Sequence, residues 1–381
     1  MGDPLTERPT ALRIGLVGAG QISGAYLRTL PALTHLSVTA VADLDAARAR
    51  AVAATVPGAR ATTVKELCAA GDVDLVLNLT VPAAHAEVVA HAAIAAGKHV
   101  YGEKPLAATT AEARSVLDAA EAAGVRVGCA PDTVLGTGLQ TARAVLDAGE
   151  LGTPVAATAF MTVPGSQLWH PAPELYYRPG GGPLFDMGPY YLTALVTLLG
   201  PVRKVVGMTS ASRSERTVGH GPRAVTTFPV EVATHVTGVL EHASGALSTL
   251  VMSFDVWAAG LPHIEIYGTE GSLSVPDPNH FDGPVRLFRA GAETKDWEDV
   301  PVRGGYPGAE RGYGIADLAA AHASDTPHRA DGCLAYHVQE AMEALLAAAE
   351  AGQPVHITST PVRPAAVPAH AGRAFAAHTS R

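Results

Sequence analysis

Leu12–Val17 is a short β-type run that stops at Gly18-Ala19-Gly20-Gln21-Ile22-Ser23-Gly24, and a helical pattern follows through about Leu30. Strand, glycine turn and helix in that order is the context in which such a motif is informative. The first glycine allows a tight turn, the second lets backbone approach a pyrophosphate, and the helix start offers N–H groups to an anion. Gly18, Gly20, Gln21 and Ile22 are therefore candidate dinucleotide contacts. Ser23 stands where the fingerprint has its third glycine, with Gly24 next, which blurs the match. The same glycines also suit a turn that holds no ligand.

The strand–helix rhythm then repeats. Leu36–Ala42 reads as a second strand ending in Asp43, 25 residues after Gly18, near the spacing of an acid that bonds a ribose diol. A carboxylate there repels a 2′-phosphate, and neither Leu44 nor Asp45 supplies a cation, so NAD is favoured over NADP. Asp43 also precedes a helical run through about Thr55 and suits its N-cap. Val73–Thr80 is nearly continuous in apolar residues, as a buried parallel strand should be. It ends in Asn78-Leu79-Thr80-Val81-Pro82, with Pro82 fitting the first turn of a helix from about Ala83 to Ala96. Asn78, Thr80, Pro82 and His85 thus lie at a strand end as candidate cofactor residues, with Glu103 and Lys104 below; a lone helical histidine is more often structural, so His85 is a candidate only from behind the direct contacts. A strand at His99–Tyr101 delivers Glu103-Lys104-Pro105, where open parallel sheets bind ligands. A solvated Lys-Pro turn is the plainer alternative. A helix over Thr109–Ala123 and a strand over Val125–Ala130 complete the pattern of a doubly wound α/β Rossmann domain across residues 11–130.

From Pro131 the rhythm changes. After a helix at about Gly138–Ala148, strands are expected at Thr153–Val163, Val202–Ser212, Val232–His242, Ala246–Asp255, His263–Tyr267 and Ser272–Val275. Hairpin turns at 242–245 and 268–271 imply a largely antiparallel open sheet with one face covered, an α+β domain over 131–355. Its free face suggests a homo-oligomer, a dimer or tetramer. Helices at about Ile315–Ser324 and Leu334–Ala349 are expected to close this domain. Residues 1–10 form an arm and the Pro/Ala-rich residues 356–381 an extended, partly disordered tail.

Inside this half, Gly180-Gly181-Gly182 precede Asp186, Tyr190 and Tyr191 at a helix start. Three glycines before an acid and two tyrosines suit a loop pressed against a ligand, with Asp186 and Tyr190 one turn apart on one face. A flexible loop with an N-capping aspartate is the alternative. Trp169, His170, Tyr177 and Arg178 lie just upstream in the densest aromatic cluster of an aromatic-poor chain, and aromatic faces pack on sugar rings or fill cores. Trp169, His170, Tyr177, Arg178 and Tyr191 are the candidate substrate residues.

Composition narrows the partners. A net charge of −9 disfavours nucleic acid, which needs a basic surface. No apolar run is long enough to span a bilayer, and Met1–Thr10 holds two prolines, three charges and no hydrophobic segment. Cys68, Cys129 and Cys333 read as reduced core thiols of a cytoplasmic protein. No ligand spacing among the sixteen histidines suggests a metal.

Taken in order, Gly18-x-Gly20, Asp43, Thr80-x-Pro82-x-x-His85, Ala96-Gly97-Lys98-His99-Val100, Glu103-Lys104-Pro105 and Gly180-Gly181-Gly182-x-x-x-Asp186-x-Gly188 resemble the Gfo/Idh/MocA family over roughly residues 11–350. The resemblance implies a nicotinamide cofactor and oxidation or reduction of a sugar or cyclitol carbon. Many members have histidine four residues after the aspartate and an acid or amide three further on. Here Tyr190 and Thr193 stand there, as tyrosine does in branches resembling glucose–fructose oxidoreductase and dihydrodiol dehydrogenase, which argues against inositol dehydrogenase activity. The expectation is hydride transfer between nicotinamide and a carbinol carbon of a sugar, cyclitol or glycoside. Lys104 and Tyr190 would handle the proton, and Asp186 would orient Lys104 or a substrate hydroxyl. Free tyrosine titrates near about 10, so a nearby ammonium is needed to favour its phenolate. Pro105 would fix the lysine backbone, a cis bond being one way. Two rivals remain: glycoside cleavage through transient oxidation by retained NAD, and a non-catalytic nucleotide sensor.

Overall fold

In the first unit, apolar strands are buried on both faces and stack into a parallel sheet. The computed structural model describes residues 11–293, 296–369 and 371; the expected arm at 1–10 and the end of the tail lie outside them. The chain divides into residues 11–132 with 309–332, and residues 133–308 with 333–369. The first unit runs β1 (Leu12–Val17), α1 (Ser23–Thr29), β2 (Leu36–Ala42), α2 (Ala46–Ala53), β3 (Arg60–Thr62), α3 (Val64–Ala69) and β4 (Leu75–Asn78). It continues through α4 (Pro82–Ala84), α5 (His91–Ala95), β5 (His99–Gly102), α6 (Thr110–Ala123) and β6 (Val127–Cys129). All neighbours are parallel in the order β3-β2-β1-β4-β5-β6, the doubly wound order with its reversal between β1 and β4. Leu75, Val76 and Leu77 are fully buried, as helices on both faces require.

Two local readings change here. The helix expected over Ala83–Ala96 is α4 and α5 joined by a π-helical turn at His85–Ala90, with Pro82 in its first turn. The cap of α2 is Asp45, which accepts from Ala47 N and Arg48 N, so Asp43 is released from that role.

Residues 309–332 return to the first unit, although the sequence reading assigned them to the second. Here α9 (Tyr313–Ala323) packs beside β6. The segment is held by backbone chemistry: Cys129 N donates to Ala330 O at 3.1 Å, and Gly312 N and Gly314 N both donate to Asp132 Oδ2 at 3.0 Å. A Cβ on Gly314 would stand 2.1 Å from the Tyr101 hydroxyl, so only glycine lets α9 approach that closely.

The second unit contains α7 (Thr137–Asp147), β7 (Pro154–Thr162), α8 (Gly182–Leu199), β8 (Val202–Ser210), β9 (Glu215–Thr217), β10 (Thr227–Pro229), β11 (His235–His242) and β12 (Leu247–Ser253). It ends with β13 (Ile264–Gly268), β14 (Gly271–Val275), β15 (Val285–Arg289), β16 (Glu298–Val300), α10 (Gly332–Ala351) and β17 (Val355–His356). Nine strands form one sheet, β16-β15-β14-β13-β7-β12-β11-β8-β17, and β9 pairs separately with β10. Only β7 and β12 run parallel among the nine. Helices α7, α8 and α10 cover one face; Gly207 and Gly238 leave the room that Leu345 of α10 occupies. The short strands β15, β16 and β17 carry too little pattern to be seen in sequence.

The tail is ordered over its described part. Val355 and His356 pair with β8, Arg363 donates to Thr197 O and contacts Asp147, and Val367 N donates to Gln140 Oε1. Its prolines suit this extended path because their fixed φ is compatible with it, and Pro364 contributes its carbonyl, which accepts from Arg143. Cys68 and Cys129 are buried, but Cys333 is exposed at the start of α10 and is not a core thiol.

Several histidines are buried neutral. His337 is fully buried, accepting from Val202 N through Nε2 and meeting Ser359 Oγ through Nδ1, and burial lowers its pKa to about 4. His99 is lowered to about 4 by burial and by His322 beside it. A base whose folded pKa lies below its unfolded value leaves the unfolded chain holding more protons, so stability is full above about 6.5 and falls as the pH drops toward about 4. Urea unfolding at pH 7.5, 6 and 5 should therefore show a loss below pH 6.5, about 1.4 kcal/mol per pH unit from His337 alone. Equal stabilities at pH 7.5 and 5 would contradict this.

Candidate active site

At the end of β1 the chain must turn sharply beneath β4. Gly18 has φ +97°, and a Cβ there would lie 2.7 Å from the Leu79 backbone, so the position excludes every other residue. Gly20 is different: a Cβ would meet nothing within 4 Å. Its glycine leaves open space above the turn. The N–H groups of Gly20, Gln21 and Ile22 donate to no acceptor among the described residues. Three such donors before α1, beneath open space, fit a pyrophosphate.

Asp43 sits at the end of β2, mostly buried, with Oδ2 accepting from Ala19 N at 2.7 Å and Oδ1 from Asp45 N at 2.8 Å. It ties the glycine turn to β2 and presents its carboxylate there. Arg48 Nη1 lies 3.7 Å from Asp43 Oδ1, a cation that the sequence reading, looking only at Leu44 and Asp45, did not find.

Beyond β4, Asn78 organises the loop. Its Oδ1 accepts from Thr80 N and from Thr80 Oγ1 at 2.7 Å, and its Nδ2 donates to His85 O. His85 is buried, with Nδ1 2.8 Å from Pro105 O and Nε2 2.9 Å from Thr80 O. Burial holds its pKa below the usual value despite those two carbonyls. A neutral imidazole has one N–H and donates to one of these two carbonyls, so buried His85 braces the loops after β4 and β5.

Glu103 is likewise turned inward. Its N donates to Asn78 O, its Oε1 accepts from Tyr26 Oη at 2.8 Å, and its Oε2 accepts from Lys104 N at 3.1 Å. Burial and then the Glu103 charge push the Tyr26 phenol well above its ordinary range. The carboxylate anchors α1 and the backbone of Lys104, and its oxygens are spent within the protein. Lys104, half-buried, precedes a cis Pro105.

In the second unit the glycine triad has a packing origin. A Cβ on Gly181 would stand 2.6 Å from Leu175 O, and Gly182, with φ +85°, lies against Ala233 O. Gly181 lets the loop close on its own backbone, and Gly182 lets it approach the backbone ahead of β11. Asp186 lies inside α8, whose N-cap is Gly181, so it is not a capping residue. Tyr190, one turn further, is buried.

Asp186, Met187 and Tyr191 face a cavity of about 490 Å³ together with Trp169, His263, Asp277 and Asn279. Tyr191 Oη and His263 Nδ1 are hydrogen-bonded at 2.9 Å. Burial first, then Asp277, pushes the Tyr191 phenol up, so it remains a neutral hydroxyl. His263, Asp277 and Asn279 were not singled out in the sequence, where the Pro276-Asp277-Pro278-Asn279 turn was their one local signal. Tyr177 is misassigned: it is fully buried against Phe228, Phe254 and Arg216, and its hydroxyl donates to Gln167 Oε1. His170 stacks edge-on between Trp169 and Tyr176, and Arg178 is exposed on the loop before α8. Among the described residues no group of three His, Cys, Asp or Glu could hold a metal ion, and no helix is long and apolar enough to cross a membrane.

Strand order, glycine turn and the acid after β2 define a dinucleotide-binding Rossmann unit, here followed by a mixed-sheet unit that carries its own polar cavity. Residues 12–130 match the model of the GFO_IDH_MocA oxidoreductase family with an NAD-binding Rossmann fold, and residues 139–274 match the GFO/IDH/MocA C-terminal domain. A dTDP-3,4-didehydro-2,6-dideoxy-alpha-D-glucose 3-reductase of Streptomyces violaceoruber is 33% identical over 71% of this chain and 74% of its own. A 1,5-anhydro-D-fructose reductase of Ensifer adhaerens is 31% identical over 68% and 74%. The crystal structure of an NAD binding oxidoreductase from Klebsiella pneumoniae superposes with a TM-score of 0.78 at 25% identity, covering 92% of this chain and all of that one. Levoglucosan dehydrogenase in complex with NADH and levoglucosan shares the fold, with a TM-score of 0.77 at 21% identity over 91% of this chain and 99% of that one. The chain belongs to the Gfo/Idh/MocA family of NAD-binding oxidoreductases.

The Tyr26–Glu103 bond can be tested by removing its hydroxyl. Tyr26→Phe strips a buried carboxylate of one donor, and leaving such a group unsatisfied costs about 1–3 kcal/mol. The urea midpoint should fall accordingly. An unchanged midpoint would mean that Glu103 is not held as described.

Proposed function

We propose that this chain transfers a hydride between NAD and a carbinol or keto carbon of a sugar, cyclitol or glycoside. The observation that carries the reading is the cavity around Asp186, where an acid from the glycine motif shares a wall with His263, Asp277 and Asn279. Carboxylates, an amide and an imidazole around about 490 Å³ can bond the several hydroxyls of one sugar ring. The relatives' names, a sugar reductase and an anhydrosugar reductase, support the same class.

The N–H groups of Gly20, Gln21 and Ile22 would hold the pyrophosphate, and Asp43 the ribose diol. Its negative charge favours NAD, and the half-exposed Arg48 that pairs with it at 3.7 Å is a nearby cation that bears on that preference. Asn78, Thr80 and Pro82 shape the loop beside the cofactor. When bound, the nicotinamide supplies the hydride acceptor or donor. Lys104 and Tyr190 move the hydroxyl proton, and Asp186 orients the substrate. Glu103 acts on Lys104 through its backbone. Lys104→Ala should retain NADH binding by fluorescence titration and lose turnover by at least about a hundredfold, as expected for a proton-transfer group. Undiminished turnover on a panel of sugars, cyclitols and glycosides would reject the assignment.

A second copy of the chain is the partner we assign to the open face of the nine-stranded sheet. Register aligns Met208, Thr237, Val251 and Phe160 in one row, and Val206, Val239, Thr249 and Thr158 in the next. Met208 is 73% exposed and Leu247 48%, and five of the eight residues in these two rows are apolar, with the Lys204–Glu241 pair beside Leu247. Val239→Lys should convert the oligomer to a monomer in sedimentation equilibrium. An unaltered mass would place the interface elsewhere.

A further inference from the structure

The cavity around Asp186 changes character from its depth to its mouth. Tyr191 is buried, and Asp186, Asp277 and Asn279 are half-buried. At the opening stand Val163, Leu168, Trp169 and Leu261, which are 39%, 39%, 60% and 54% exposed. Large apolar side chains exposed together around a cavity are a feature that a single scattered leucine is not. The indole is also held in place: His170 meets it edge-on at 5.4 Å and Tyr176 meets His170 at 5.2 Å. An aromatic face fixed in this way loses little side-chain freedom when something lies on it.

Charge separates the ligand classes further. Asp186 and Asp277 line the cavity, and no lysine or arginine does among the described residues. The adjoining depression of about 390 Å³ has Arg286, but that guanidinium lies over the Trp297 ring and shares its depression with Asp277 and Asp282. A diphosphate seeks Arg and Lys, and two carboxylates repel it.

We infer that the substrate is a neutral glycoside with an aryl or alkyl aglycone: the sugar ring lies among Asp186, Asp277 and Asn279, and the aglycone lies against Trp169, Leu168 and Leu261. The inference rests on the oxidoreductase reading for the reaction but not for the binding. It also separates this chain from its relative named for a dTDP-linked sugar, whose diphosphate this cavity does not accommodate.

The test uses the whole protein with NADH present, and calorimetry with methyl, phenyl and dTDP-linked forms of the same sugars in the gluco, galacto and manno series. In at least one series the phenyl glycoside should bind at least tenfold tighter than the methyl glycoside, with the dTDP-sugar no tighter than the methyl form. Trp169→Ala and Leu261→Ala should each lower the phenyl-to-methyl ratio at least threefold, and both sites are exposed enough to leave folding intact. A ratio near one, a preference for the dTDP-sugar, variants that leave the ratio unchanged, or no binding in any series would each overturn the inference. NADH formation from NAD is measured separately. Phenyl preference without turnover in any series would sustain this inference and sink the oxidoreductase reading; turnover with a ratio near one would do the reverse.

Discussion

A single buried carboxylate ties together the functional end of the Rossmann unit. Glu103 takes a hydrogen bond from Tyr26 on α1 and another from Lys104 N, while its own N–H bonds β4 through Asn78 O. The helix after the glycine turn, the strand before the Asn78 loop and the backbone of the lysine are thereby fixed against one another. A buried charge is tolerable only when its oxygens are satisfied. Asn78 and His85 extend the scheme, since their bonds hold the loop from Thr80 to the Lys104-Pro105 turn. The rigid frame, more than any one ligand contact, explains why this stretch of sequence is so distinctive.

Much of that frame was legible in the residues. Gly18, Asp43 and Lys104 sit at strand ends, where a local pattern of apolar run, turn and polar residue fixes their place in a parallel sheet. What failed was whatever depends on distant partners. Tyr177 looked like a sugar platform, but its burial is decided by Phe228, Phe254 and Arg216, 39 to 77 residues away in the chain. Gly181 and Gly182 looked like ligand contacts because a sequence does not display the carbonyls of Leu175 and Ala233 that crowd them. His263, Asp277 and Asn279 reach the cavity through strand pairing, and no spacing announces them. The hydrogen bonds that Glu103 and His85 make within the protein could not be read either, since their partners lie on other elements.

The relatives and the cavity speak at different levels. Family membership fixes the fold and the class of chemistry, while the groups lining one cavity decide what enters it. The lining here holds two carboxylates and one amide within and is apolar at its opening, so the relatives' names support the class of substrate while the lining decides which member of it binds.

The return of residues 309–332 to the first unit also bears on how the chain is made. Ala330 and Asp331 bond along β6, so the edge of the parallel sheet stays bare until they arrive. The whole of residues 133–308 must leave the ribosome first, a delay of roughly 10–35 s at about 5–20 residues per second. For that interval the nascent Rossmann sheet exposes an unpaired strand, the kind of surface that chaperones cover and that neighbouring chains on a polysome can capture.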